Sequence, residues 1–104
     1  MQIQINTTND IDGSAALSSH AEGQVRERLS RYQSRLTRIE LHLGDENGAR
    51  DSAQDKRCVI EARPTGLAPV TVTDHGNTVE AAMGGALKKM SSHLDSVFGK
   101  LDAR

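Results

Sequence analysis

The spacing of apolar positions switches repeatedly between a period of two and a period near 3.6, and each switch marks an element. Gln2 to Asn6 alternate polar and apolar, with Ile3 and Ile5 on one side, which predicts a short strand with one buried face. Thr7 to Ser14 is rich in turn-forming residues. Ser19 with Glu22 three positions on reads as a capping box, and Val25, Leu29, Tyr32 and Leu36 keep helical spacing. A first helix is therefore predicted from about His20 to about Leu36. Ile39, Leu41 and Leu43 alternate with Glu40 and His42 in a second strand. Residues 44–55 have no period and are acidic and turn-forming, so they read as a mobile hairpin loop. Cys58, Ile60 and Ala62 share one side of a third strand, roughly Lys56 to Arg63. After the Pro64-Thr65-Gly66 turn, Val70 and Val72 alternate with Thr71 and Thr73 in a fourth. Finally, Val79, Ala82, Met83, Ala86, Leu87, Met90, Leu94, Val97, Phe98 and Leu101 recur at three- and four-residue steps. They predict a long amphipathic helix from about Thr78 to about Leu101. Gly84-Gly85 interrupts it, at roughly 1 kcal/mol per glycine relative to alanine.

The order is β-α-β-β-β-α, an α+β fold. The first βαβ unit lets strands one and two run parallel through a right-handed crossover, and hairpins join the rest. One apolar stripe per helix suits a four-stranded mixed sheet with both helices packed on one face. The opposite face is expected to be solvated or to meet a partner. At 104 residues the chain is expected to form a single domain over 1–104, with 44–55 as an acidic loop within it.

Composition narrows the function. Aromatic residues are 2% of the chain, Tyr32 and Phe98, which argues against a stacking platform for single-stranded nucleic acid. A net charge of −1 excludes a generic polyanion-coating protein. The single cysteine, Cys58, excludes an intramolecular disulfide and a cysteine-cluster metal site; on its strand it reads as a buried, inert thiol. His20, His42, His75 and His93 have no metal-ligand spacing. Asp74-His75 lacks a nucleophile at recognisable spacing and reads as a turn leading into the helix. No apolar run spans a membrane and the N-terminus has no signal-peptide pattern, so a soluble, cytoplasmic, non-enzymatic protein without cofactor or metal is expected.

The charged residues are more informative than their sum. Arg28, Arg31, Arg35 and Arg38 are spaced three, four and three. On a helix they fall within about 80° of one another, beside the apolar stripe. Guanidiniums in a row suit phosphate recognition, because each planar fork grips two oxygens. The same row also suits a solvated face whose arginine stems cover the core edge, and both readings stand. Lys88 and Lys89 follow the flat Gly84-Gly85 surface by one turn; either a phosphate approaches there or the glycines are merely tolerated. Asp45, Glu46, Asp51 and Asp55 against Arg50 give the loop −3, leaving +2 on the rest of the chain.

The element order, the Arg38-Ile39 step and the segment from Gly76 to Leu101 resemble the ribosome hibernation-promoting factors, also called ribosome-associated translation inhibitors or sigma-54 modulation proteins. Ala81-Ala82, Gly85, Lys89, Leu94, Lys100 and Leu101 carry the likeness in the last helix, and Val25, Arg28, Arg31, Arg38 and Ile39 in the first. The resemblance implies a double-stranded-RNA-binding-domain-like fold. It also implies a seat on the small ribosomal subunit, contacts to ribosomal RNA phosphates and inhibition of translation under stress or in stationary phase. The implied RNA-binding residues are Arg28, Arg31, Arg35, Arg38, Lys88 and Lys89. The second helix departs from the family's basic run, carrying Ser91, Ser92, Asp95 and Ser96 there, and Gly84 replaces the usual acidic residue. The alternative on the same fold is a protein-interaction or self-association module, a homodimer included, that uses the sheet face or a strand edge.

Overall fold

A computed structural model describes residues 1–8, 15–45 and 55–103. The elements are β1 (Gln2–Thr7), α1 (Ala15–Arg28), a 3₁₀ helix (Ser30–Arg35), β2 (Leu36–Asp45), β3 (Lys56–Pro64), β4 (Val70–Gly76) and α2 (Val79–Asp102). The sheet order is β1-β2-β3-β4, with β1 parallel to β2 and the other pairs antiparallel. This is the predicted four-stranded mixed sheet.

Alternation sets which side of the sheet is buried. In register across the strands, Ile3, Ile39, Ala62 and Val70 form one inward row, and Ile5, Leu41, Ile60 and Val72 the next. A third row runs Thr7, Leu43, Cys58 and Asp74, so it ends on a carboxylate. Ala21, Val25 and Leu29 join Ala82, Met83, Ala86, Leu87, Met90 and Leu94 in one core with these rows. Both helical segments thus cover one face. The other face carries Arg38, Glu40, Glu61, Arg63, Thr71 and Thr73 and stays polar.

Three local expectations are corrected. The first helix begins at Ala15, because the stripe of Leu17, Ala21, Val25 and Leu29 at four-residue steps starts a turn before the capping box. Ser19 lies inside α1, and Glu22 accepts from Arg26 at 2.9 Å instead of capping. The helix also ends early. Leu29 leaves the α region (φ −114°, ψ 16°), the chain tightens into the 3₁₀ helix, and Leu36 is already strand. A 3₁₀ helix advances three residues per turn, which suits the Leu29-to-Tyr32 step. At the end of β4, Asp74 and His75 are strand residues rather than a turn, held by pairing with Cys58 and Arg57.

Of the expected acidic loop over 44–55, only the two ends fall within the described residues. Gly44 and Asp45 end β2, and Asp55 is buried beside β3. Lys56 Nζ donates to Asp45 at 3.0 Å and Asp55 at 2.9 Å, joining the end of β2 to the start of β3. The loop's middle, 46–54, lies outside the described residues, as does part of the Thr7 to Ser14 segment. The long final helix runs as predicted, with the Thr78 hydroxyl accepting from Ala81 N at 3.0 Å as its N-cap.

Candidate nucleic-acid interface

The four-arginine row does not exist. Its expectation assumed one helix through Arg38, whereas the chain passes from α1 to the 3₁₀ helix to β2 within those residues. Arg28 closes α1 and is exposed. Arg31 and Arg35 stand on the 3₁₀ helix. Arg38 is on β2 next to inward-facing Ile39, so strand alternation sends it to the polar face, away from the helices. There it donates to Gln4 and, at 3.1 Å, to Glu40. That hydrogen bond holds the Glu40 carboxyl below its usual range. Arg63 completes this outer cluster, donating to Glu61 at 2.8 Å.

Arg31 and Arg35 face α2, and α2 meets them with acids. Arg31 Nη2 donates to Ser91 Oγ at 2.6 Å and Asp95 Oδ2 at 2.9 Å. Arg35 makes a two-pronged pair with Asp102, at 2.9 and 3.0 Å. The rings below orient both forks. The Arg35 guanidinium lies 4.0 Å from the Phe98 ring centre and that of Arg31 5.0 Å from Tyr32, and the two rings are 5.4 Å apart. The Arg35 hydrogen bond pulls the Asp102 carboxyl below its usual range, and Asp102 in turn raises Arg35. Asp95, a departure from the family's basic run, is thus the partner of Arg31, which spacing along the chain does not show. Pairing needed the early end of α1, which brings Arg31 and Arg35 beside the last turns of α2.

Lys88 and Lys89 are on the other side of α2, above β4. With Val72, Asp74, Gly85 and His93 they line an open groove of about 710 Å³. Lys89 Nζ donates to Thr73 O at 3.0 Å and lies 3.4 Å from Asp74 Oδ1. The Asp74 carboxyl is held below its usual range, first by the His75 backbone N–H and then by Lys89. The glycine pair divides in two. Gly84 faces open space, whereas a Cβ on Gly85 would run into the Asp74 carboxylate. The group that approaches Gly85 closely is therefore the protein's own Asp74, not a phosphate. Lys88 is exposed and makes no ion pair among the described residues; the same holds for Arg28 and Lys100.

Cys58 is fully buried, and loss of solvent, with a smaller push from Asp74, raises its thiol to about 12. Among the described residues no three His, Cys, Asp or Glu side chains converge as metal ligands, and no helix is long and apolar enough to cross a membrane.

Residues 3–102 match the family described as Sigma 54 modulation protein / S30EA ribosomal protein. The crystal structure of the Thermus thermophilus Protein Y N-terminal domain is similar in fold, with a TM-score of 0.74 at 19% identity over 93% of this chain and 99% of that one. A ribosomal subunit interface protein from Coxiella burnetii gives 0.72 at 16% identity, over 100% of both chains. At such identities the likeness speaks for the fold. Among curated proteins none matches the chain.

Proposed function

The chain belongs to the Sigma 54 modulation protein / S30EA ribosomal protein family, and we propose that it is a cytoplasmic, ribosome-associated factor that seats residues 1–104 as one domain on the small subunit. It inhibits translation there by occupancy, without a catalytic step or cofactor. Its helix side meets ribosomal RNA phosphates. The observation that carries this reading is the placement of cations that have no carboxylate partner among the described residues, within the family's fold. Arg28 and Lys88 stand exposed on the two helices, and Lys89, next to Lys88, has a 3.4 Å pair with Asp74. On the polar sheet face, by contrast, Arg38 and Arg63 are each matched to carboxylates. Action by self-association through an apolar patch finds little to use: the exposed large hydrophobics among the described residues are Leu67 and Leu101.

Co-sedimentation with purified small subunits across a salt series tests the reading. Each phosphate contact contributes roughly 0.7–0.9 to the slope of log affinity against log salt. Arg28→Ala with Lys88→Ala should therefore weaken association and shallow the slope by about 1.4–1.8, with circular dichroism unchanged. A wild-type protein that stays in the supernatant at low salt, or binds with no salt dependence, would rule the reading out.

A further inference from the structure

We infer that Asp95 and Asp102 are affinity-setting residues that hold Arg31 and Arg35 in self-paired form, so that a polyanion engages those arginines only by displacing α2's own carboxylates. This concerns regulation of the proposed RNA-binding side and rests on that reading only for the identity of the natural polyanion.

The geometry is that of occupied binding forks. Arg35 grips both oxygens of Asp102, as it would grip two phosphate oxygens. Arg31 spends one nitrogen on both Ser91 and Asp95. The pairs are exposed on their acidic side, with Asp95 54% and Asp102 62% accessible, so an incoming anion can reach and exchange with them. The arginines are positioned without the acids as well, since Phe98 and Tyr32 lie under the guanidiniums. Removing the carboxylates should therefore leave two oriented, unpaired forks rather than two loose side chains. An exposed ion pair resists exchange by a factor of up to about 5. Freeing both should tighten polyanion binding by up to about 25-fold when the two effects multiply.

Loss of negative charge alone also favours a polyanion, so a charge-matched control is needed. Glu27→Gln with Glu80→Gln removes the same two charges without releasing an arginine or lysine paired among the described residues. Glu27 is exposed on α1, and Glu80 neighbours His20 at the start of α2. Retention on immobilised heparin reads the effect without a ribosome. Asp95→Asn with Asp102→Asn should elute at clearly higher salt than both wild type and the control pair, with unchanged circular dichroism. The single variant Asp95→Asn, which leaves the Arg35 pair intact, should fall between. Elution of the Asp95→Asn/Asp102→Asn protein with the control, or before it, overturns the inference. Sedimentation of the same four proteins with small subunits is scored separately. No association for any of them defeats the ribosomal reading and leaves the heparin order to decide the self-pairing.

Discussion

Single residues here take their roles from what stands opposite them. Arg31, Arg35 and Arg38 are alike in sequence, yet two bridge to α2 and the third lies on the far side of the sheet. Spacing alone could not separate them, because the 100° rule holds only while the helix lasts, and it ends at Arg28. Cys58 was legible: alternation with Ile60 and Ala62 put it inside, and it is fully buried. Its thiol titrates near 12 because the thiolate would sit in an apolar core, so it is neutral and shielded at physiological pH. Native protein should leave a small thiol-reactive disulfide reagent unconsumed over hours at pH 8, and denatured protein should consume one equivalent within minutes. Rapid colour with folded protein would mean that the β2–β3 core opens readily at Cys58.

Elements were legible where an apolar period was long, and less so where it was short or interrupted. The final helix and the three later strands were recovered from spacing, and α2 keeps seven buried residues on one stripe. The start of α1 is not visible in the spacing, because Ala21 contributes to the stripe without looking like a core residue. Gly84-Gly85 shows what spacing cannot report. Both glycines weaken α2 as isolated helix, but only Gly85 faces Asp74, the inward carboxylate that ends its sheet row at the β4 edge. An inward charge on an edge strand, with Lys89 covering the Thr73 carbonyl, also discourages a further strand from pairing there. Adjacent alanine substitutions should consequently have opposite signs. Gly84→Ala should stabilise by about 1 kcal/mol, the helix-propensity difference in open space. At Gly85→Ala the same gain is outweighed, because Asp74 must swing away from Lys89 and the His75 N–H; overpacking of this kind costs about 1–3 kcal/mol. Urea titrations of the two variants check this, and equal stabilisation by both would show that Asp74 rotates aside freely.

Across the whole molecule, carboxylates tie neighbouring strands and helices together, and this makes stability depend on acid in a definite direction. Glu40 bridges Arg38 and Arg63 on the polar sheet face, Asp74 joins β4 to α2, and Asp102 joins the 3₁₀ helix to the end of α2. The fold lowers all three: Glu40 chiefly through Arg38, Asp74 through the His75 N–H and then Lys89, Asp102 through Arg35. A carboxylate that is more acidic folded than unfolded binds fewer protons folded, so its contribution is complete above its unfolded value. That contribution is lost as pH falls through the folded one. With ordinary values of 4.5 for Glu and 3.8 for Asp, the loss begins below about pH 4.5 and deepens further down. Lys56, Arg35 and Arg63 are raised by their acidic partners, so their share is complete at neutral pH and fades only above the ordinary lysine value of 10.5. Urea midpoints should thus change little on account of these groups between about pH 5 and 9 and fall steeply towards pH 3. Because each pair keeps at least partial contact with water, each contributes modestly, and the acid limb is a collective effect. Asp102→Asn should flatten part of that limb: it lowers the midpoint at pH 6, and this deficit shrinks as the pH falls below the ordinary Asp value of 3.8. A variant whose deficit persists unchanged down to pH 3 would show that the Arg35–Asp102 pair acts through packing rather than charge.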